Sequence, residues 1–279
     1  MWKWGLSVIF VWVLIFSSAS GGDRFEIIRS DSAGVIRDKE LGVLWEKNSP
    51  LKTMKWQEGL TYCESLNLGG SQSWRLPSYD ELISIVDYEN NTSSIATDEI
   101  FWDNMSRNYY WSGDAVSNKE KRSWAVAMVQ GNSHYYHQGF SINVKCVTGK
   151  SENSPYMRDR SRLKAKLEWQ DTPSNETLTL SQPDAIKHCE KLTLNNKDDW
   201  RLPSLKELQT LSERDNFRPA TPKSIKYSAP EKYWTSTGKS RSEVPGHAFL
   251  VYFDYGDTGT WFGGKKLHFR CVRGDEQAP

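Results

Sequence analysis

The sequence repeats itself once, and this repeat constrains the fold more than any other feature. The pentapeptide Trp-Arg-Leu-Pro-Ser begins at Trp74 and recurs at Trp200. Other landmarks recur around it in the same order: Cys63-Glu64 and Cys189-Glu190, Glu81-Leu82 and Glu207-Leu208, Tyr110-Trp111-Ser112 and Tyr233-Trp234-Thr235, Lys145-Cys146-Val147 and Arg270-Cys271-Val272. Chance does not align so many landmarks, so the repeat predicts two homologous units.

The repeat divides the chain into segments of domain size. We predict a first domain over residues 22–149, a linker over 150–157, a second domain over 158–274 and a tail over 275–279. Residues 1–21 resemble a secretory signal peptide, with Lys3 ahead of an apolar run and small residues behind it. An uncleaved anchor is the alternative, and no later segment is apolar enough to span a membrane. The leader predicts export, to a bacterial periplasm or cell surface.

Each unit carries the pattern of an α+β domain, with two short helices followed by an antiparallel sheet. Trp56, Leu60 and Cys63 share one face of a first helix, which Gly69-Gly70 should end, as Asn195-Asn196 should in the second unit. A capping box, Ser-x-x-Glu, begins a second helix in each copy. The last third of each unit alternates like a strand meander with tight turns.

The cysteines are informative because an exported chain can keep disulfides. Four cysteines allow three pairings, and the repeat favours Cys63 with Cys146 and Cys189 with Cys271. Closing loops of that length should stabilise each unit by about 4–5 kcal/mol in the chain-entropy model. A metal site or a redox pair is the alternative, but the spacing contains no Cys-x-x-Cys. The structural disulfide is therefore favoured.

The set of motifs resembles the Lcl C-terminal domain family, a bacterial family named after a collagen-like surface adhesin. The resemblance covers nearly all of the mature chain twice and implies a variant of the C-type-lectin-like fold. It also implies an exported, often surface-associated module, with sulfated-glycan binding for the namesake. The second copy departs from the family pattern at Leu167-Glu168-Trp169 and at Tyr233-Trp234-Thr235-Ser236. Its surface is therefore open to a different partner or a structural role.

The family does not supply a binding site, and we interpret its central motif as structural. Tryptophan and leucine should be buried, proline should set the entry to the capped helix, and arginine should pair with a nearby carboxylate or carbonyl. The motif residues are Trp74, Arg75, Pro77, Ser78, Glu81, Trp200, Arg201, Pro203, Ser204 and Glu207.

A run of basic residues gives the first candidate binding surface. The basic side chains occupy every second position: Arg158, Arg160, Arg162, Lys164 and Lys166. On a β-strand this period places all five on one face, which would suit an acidic or sulfated glycan. The alternative is a solvated strand face that discourages edge-to-edge pairing.

Aromatic residues of the predicted hairpins form the second candidate surface. The chain holds 13 Trp and 12 Tyr, and these supply either core mass or flat rings that stack on sugars. Alternation should leave some hairpin rings exposed, namely among Tyr135, Tyr136, Tyr255 and Trp261. Asp254 and Asp257 in the same hairpin offer too few oxygens for calcium, so they indicate a turn and no metal is expected.

The remaining patterns favour a non-catalytic binding module without a cofactor. The net charge of +1 provides no whole-protein field for nucleic acid. The five histidines form no metalloprotease motif, and neither a nucleophile elbow nor a phosphate loop is present. The expected partners are acidic or sulfated glycans or an envelope protein. Two alternatives remain: an assembly subunit of an envelope complex, and an enzyme of the sulfatase-modifying type, which would need reactive cysteines.

Overall fold

The computed structural model describes residues 24–28, 34–88, 97–105, 108–152, 155–238 and 246–274. The predicted signal peptide over 1–21 and the predicted tail over 275–279 lie outside the described residues. Within the described ranges, no helix has both the length and the apolar character needed to cross a membrane.

The described part of the first half contains eight short strands, two α-helices and one 3₁₀ turn. The strands are β1 Phe25–Ile28, β2 Val35–Asp38, β3 Val43–Glu46, β4 Trp74–Arg75, β5 Tyr109–Ala115, β6 Arg122–Ala127, β7 Ser133–His137 and β8 Val147–Thr148. The helices are α1 Trp56–Glu64 and α2 Tyr79–Ser84, and the 3₁₀ turn is Glu99–Asn104. The strands form a five-stranded sheet in the order β1-β2-β3-β8-β4 and a three-stranded sheet β5-β6-β7.

The second half repeats this plan with more helix. Its helices are α3 Pro155–Lys166, α4 Ser174–Thr177, α5 Gln182–Glu190 and α6 Leu205–Gln209. Its strands are β9 Glu168–Trp169, β10 Thr179–Leu180, β11 Lys232–Gly238, β12 His247–Tyr252, β13 Asp257–Phe262, β14 Leu267–His268 and β15 Val272–Arg273. They form a sheet β10-β14-β11-β12-β13 and a pair β15-β9, and β11 and β14 run parallel. The α+β class is confirmed, but the expectation of two helices per domain was wrong for this half.

Both predicted disulfides are confirmed. Cys63 bonds Cys146 and Cys189 bonds Cys271, so in each half the cysteine of the early helix is joined to the closing segment. Each bond lies in a buried cluster that also contains the tryptophan and leucine of the repeated motif. The tryptophan and leucine of the motif are therefore buried, as predicted, and they pack around the disulfide.

The capping boxes form in both halves, and the motif arginine pairs with the capping glutamate. Arg75 donates two hydrogen bonds of 2.7 Å to Glu81, and Arg201 donates bonds of 2.7 and 2.6 Å to Glu207. Burial alone would raise the pKa of each glutamate, but the paired arginine and the cap N–H outweigh it, and both pKa values are lowered. The glutamate carboxylate thus caps the start of the helix and also neutralises the arginine.

The glycine and asparagine pairs do not end the first helices, which was a wrong expectation. Helix α1 ends at Glu64 and α5 at Glu190, several residues earlier. Instead, each pair forms the centre of a tight turn, between Leu68 and Ser71 and between Leu194 and Lys197. All four central residues have positive φ, which is the requirement of a two-residue hairpin turn.

A third buried cluster joins the two halves into one body. It combines residues of β2, β3, α2 and β6 with residues of α6, β11 and β12. Tyr88 of the first half lies edge-to-face on Phe249 of the second, with ring centroids 5.2 Å apart. Arg214 pairs with Asp80 at 2.7 Å and lies 4.0 Å from the ring centroid of Tyr79.

The contact between the halves is reciprocal at its centre. The Ser133 N–H donates to Thr258 Oγ1 at 3.1 Å, and the Thr258 N–H donates to Ser133 Oγ at 2.9 Å. The two residues are equivalent in the repeat, because Ser133 pairs with Val126 in the first sheet and Thr258 pairs with Val251 in the second. An approximate two-fold axis therefore passes between β7 and β13, as in an isologous dimer interface.

Candidate functional site

A groove opens to the surface at the approximate two-fold axis between β7 and β13. It encloses about 220 Å³, and we call it the interdomain groove. The lining residues are Tyr109, Asn132, Ser133, His134, Lys232, Leu250, Tyr252, Asp257, Thr258, Gly259, Thr260 and Trp261. Both halves contribute, so the site exists only when the two units are assembled.

The two walls of the groove come from equivalent positions of the repeat. In the first half the Tyr109 ring lies edge-to-face on Tyr136, with centroids 5.1 Å apart. In the second half the Lys232 ammonium lies over the Trp261 ring, 4.1 Å from its centroid, and 5.6 Å from that of Tyr252. Trp261 is 42 % exposed. The groove therefore presents aromatic surface on both sides.

The polar residues of the groove also correspond across the two-fold axis. Asn132 precedes Ser133 just as Asp257 precedes Thr258, and each has one buried side-chain oxygen without a hydrogen-bond partner among the described residues. The other Asp257 oxygen lies 3.5 Å from His134 Nδ1, which is longer than a normal hydrogen bond. These two side chains therefore keep spare acceptor capacity in the groove.

The titrating tyrosines of the walls remain neutral at ordinary pH. Burial raises the pKa of Tyr109, and the neighbouring Tyr136 raises it further. Burial also raises the pKa of Tyr252, with the charges of Asp254 and Glu231 adding to it. Both phenols therefore act as hydrogen-bond donors or acceptors without charge.

The four predicted aromatic residues lie in two places. Trp261 lines the interdomain groove, and Tyr136 packs on the lining residue Tyr109. Tyr135 and Tyr255 lie outside the groove lining and contact each other edge-to-face, with ring centroids 5.3 Å apart. The expectation that Tyr255 is exposed was wrong, since it is only 9 % exposed. Its cover is the contact with Tyr135 of the other half together with Phe217, which stacks on it. The contact between Tyr135 and Tyr255 joins the two halves, so the sequence of a single repeat cannot predict it.

The predicted basic ladder does not form, because its residues lie on helix α3 instead of a strand. Successive residues of a helix turn by about 100°, so alternate positions point to opposite sides. Lys164 is held by Glu213 at 3.1 Å, and the side chain of Arg160 lies outside the described part of the structure. Pro155 at the first position and the helix-forming residues behind it explain the helix. The correction covers the whole set, Arg158, Arg160, Arg162, Lys164 and Lys166.

A larger cavity of about 510 Å³ lies near α2 and α3, but most of its charged groups are engaged in ion pairs. Its lining includes Arg75 with Glu81, Lys164 paired with Glu213, and Asp80 paired with Arg214. It has no aromatic residue in its described lining. The Arg75 pair serves the capped helix, the Asp80 pair serves the contact between the halves, and the Lys164 pair holds α3 to the rest of the second half, so we place the candidate site in the smaller groove.

Reasoning from sequence missed most of the groove, namely Tyr109, Asn132, His134, Lys232 and Asp257. A signal for two of them was present, since Asn132-Ser133 and Asp257-Thr258 stand at matching positions of the repeat. No group of three or more histidine, cysteine or carboxylate side chains that could hold a metal occurs in the described ranges.

Comparison with protein families gives a match in each half of the chain. A family model described as the Lcl C-terminal domain matches residues 34–148 and again residues 160–273. No curated protein matches the sequence.

Proposed function

The chain belongs to the Lcl C-terminal domain family in both halves, and from this premise we propose that it is an exported, non-catalytic protein that binds glycans in the interdomain groove. The proposal includes a location in the bacterial periplasm or at the cell surface. It also includes a C-type-lectin-like fold for each half. The bond that joins an early helix to the closing segment in each half supports that likeness.

The observation that carries the proposal is the pair of aromatic walls facing each other across the approximate two-fold axis. Aromatic rings offer large apolar faces at low entropic cost, and polar atoms between them fix the orientation of a ligand. Sugars have this combination of an apolar face and a polar rim. The partly exposed Trp261 opposite Tyr109 and Tyr136 suits such a ligand.

The state of the cysteines supports a binding role over the sulfatase-modifying alternative. That alternative requires reactive thiols, and only a thiolate is nucleophilic. All four cysteines are joined in disulfides. The sulfurs are therefore assigned to holding the fold.

The proposal is tested by removing the exposed wall. Trp261→Ala should weaken glycan binding at least tenfold, about 1.4 kcal/mol, because the ligand loses a stacking face. Phe262→Ala is the matched control, since Phe262 is a neighbouring exposed ring outside the described groove lining. Glycan-array screening followed by calorimetry on the best ligand measures the effect. If the Trp261→Ala variant bound the glycan as tightly as the wild type, the groove would not be the binding site.

A further inference from the structure

We infer that the interdomain groove selects an uncharged, hydroxyl-rich sugar ring and disfavours sulfated or carboxylated glycans. The inference rests on the proposed function and deepens it by naming the class of ligand. It differs from the polyanion contact that the basic run of α3 suggested from sequence.

The first step is the spare acceptor capacity of the groove. An ionised carboxylate has about four acceptor positions, yet the described contact of Asp257 in the groove is the 3.5 Å approach to His134. One oxygen of Asp257 and one of Asn132 have no partner within the described structure, and buried polar atoms of this kind require donors. The Asp257 side chain is 13 % exposed and its unpartnered oxygen is buried, so a ligand reaches the carboxylate at its exposed edge and meets that oxygen when the side chain turns. Hydroxyl groups are donors, whereas sulfate and carboxylate groups are not.

The second step is the charge of the groove. Among its described lining residues, Lys232 is the single lysine or arginine and Asp257 the single carboxylate. These charges cancel, so the groove has no excess positive charge to hold a polyanion. An anionic group beside Asp257 would meet like charge in a partly desolvated place, where repulsion is stronger than in water.

The third step is shape. A cavity of about 220 Å³ with aromatic walls has room for one sugar ring rather than a long polymer segment. A pyranose presents C–H groups on its faces and hydroxyls around its rim. Trp261 can contact a face while the partly exposed Asp257 carboxylate accepts from the rim. Because Asn132 and Asp257 are equivalent in position but differ in charge, the two ends of the groove differ and the ring has one preferred orientation.

The test uses the full mature chain with its disulfides intact and compares neutral and anionic ligands by calorimetry. The neutral set contains oligosaccharides of glucose, galactose, mannose and N-acetylglucosamine, and the anionic set contains heparin and oligouronates. Each titration is run at about 0.05 M and about 0.5 M NaCl, because added salt screens contacts between charges. We expect a neutral sugar to bind with affinity that changes less than twofold between the two salt concentrations.

The variant Asp257→Asn separates the two classes by the sign of its effect. Asparagine fits this position sterically, since Asn132 occupies the equivalent place in the first half. We expect about tenfold weaker binding of the neutral sugar, because a hydrogen bond to a charged acceptor is stronger than one to an amide. An anionic ligand would instead bind more tightly to the variant, because repulsion is removed.

The outcomes distinguish this inference from the proposed function. If a neutral sugar binds independently of salt and Asp257→Asn weakens that binding, the result supports both the neutral-sugar inference and the proposed function. Binding of heparin or oligouronates alone, lost at high salt and unchanged or strengthened by Asp257→Asn, overturns the neutral-sugar inference and leaves glycan binding standing. Failure of every glycan to bind the wild-type chain overturns both.

Discussion

The two halves of the molecule place a cation in the same buried position but stabilise it differently. Lys145 and Arg270 each precede the closing cysteine, and both side chains are fully buried. In each half, a side-chain oxygen accepts from the cysteine N–H: Glu46 from Cys146 at 3.2 Å, and Gln170 from Cys271 at 3.1 Å. The shared requirement of the fold is therefore this acceptor, which either a carboxylate or an amide can supply.

In the first half the charge is balanced by a buried side chain. Lys145 donates to Ser49 Oγ at 3.1 Å and is attracted by the nearby Glu46 carboxylate without a direct ion pair. Tyr62 donates a short hydrogen bond to Glu46. Burial raises the pKa of Glu46 and lowers the pKa of Lys145 to about 8, despite the attraction between them. Desolvation thus exceeds the Coulomb gain for both groups, as is common for opposite charges buried near each other.

In the second half the charge is balanced mainly by backbone. Arg270 donates to the carbonyl oxygens of Gln170 and Tyr227 through short hydrogen bonds, and Asp171 lies 3.4 Å away. Burial lowers the pKa of Arg270, but arginine keeps its proton in proteins. The comparison teaches that one scaffold accepts a titratable buried pair in one copy and a permanently charged group in the other.

The largest expected effect comes from breaking the pair in the first half. Lys145→Met should lower the free energy of unfolding by about 3–5 kcal/mol, because it leaves the Glu46 carboxylate buried without its cation. Adding Glu46→Gln, which copies Gln170 of the second half, should bring stability back to within about 1 kcal/mol of the wild type. Guanidinium unfolding followed by tryptophan fluorescence, with disulfides intact, measures both. A double variant as unstable as Lys145→Met would refute the view that charge balance, rather than packing, is what the first half needs.

The next effect is a pH dependence confined to the first half. The pKa of Lys145 is 10.5 in the unfolded chain and about 8 in the folded one. Between these values the unfolded state binds more protons, so this group makes stability rise with pH from 8 toward 10.5 and fall as pH drops through 8. A full shift of that size corresponds to about 3 kcal/mol.

The measurement is the difference in unfolding free energy between the wild type and the Lys145→Met/Glu46→Gln variant from pH 7 to 9.5. This difference removes the contribution of the tyrosines other than Tyr62, whose pKa depends on the Glu46 that the variant replaces. We expect it to move in favour of the wild type as pH rises. Lys145→Arg is the control, since arginine does not titrate in this range and should abolish the slope. A slope that persists in this variant would exclude Lys145 as its source.

A smaller difference between the halves is expected at the capping glutamates. Glu81 accepts from Arg75 and also from Ser151 at 2.7 Å, and its side chain is fully buried, whereas Glu207, paired with Arg201, is 4 % exposed. We expect Glu81→Gln to cost about 3 kcal/mol and Glu207→Gln about 2 kcal/mol.

Since the pKa of both glutamates is lowered, their stabilisation is present above pH 4.5 and is lost as pH falls through the lowered folded values. Chemical unfolding at pH 7 and at pH 3 measures both glutamine variants, and their deficits should shrink at the lower pH. Equal deficits at pH 7 would show that the Ser151 bond adds nothing.

The features predicted from sequence are those fixed within one copy of the repeat. The capping boxes are local, since Ser78 and Glu81 are three residues apart, and the disulfide pairing follows once the two copies are aligned. The α+β class followed from the helix and strand patterns within each copy. The turn at Gly69-Gly70 was recognised as a special backbone position but assigned to the wrong structure, because positive φ suits both a helix end and a hairpin turn.

The features missed from sequence are of two kinds. Some depend on contacts between the two copies, and one depends on whether a charge pattern is read with the period of a strand or of a helix. Charge alternates along residues 158–166, and this pattern suggested a strand. The residues instead form α3, because they have high helix propensity and follow Pro155 at the first helical position. Alternation of charge alone does not show which side chains are packed. The groove was missed because Tyr109 and Lys232 become neighbours only when β7 meets β13. Tyr255 was misjudged for the same reason, since its cover comes from Tyr135 of the other half.

The smallest expected difference concerns the two tight turns, where the halves use different residues for one backbone conformation. Gly69 and Asn195 are equivalent, with φ of 58° and 54°. A Cβ at Gly69 would lie 3.1 Å from a methyl carbon of the buried Val35, whereas one at Gly70 meets nothing within 4 Å. We therefore expect Gly69→Asn to cost about 1–2 kcal/mol through overpacking, and Gly70→Asn less than about 0.5 kcal/mol, since asparagine tolerates positive φ. Thermal unfolding of the two variants measures the difference, and equal costs would mean that backbone preference rather than contact with Val35 selects glycine in the first half.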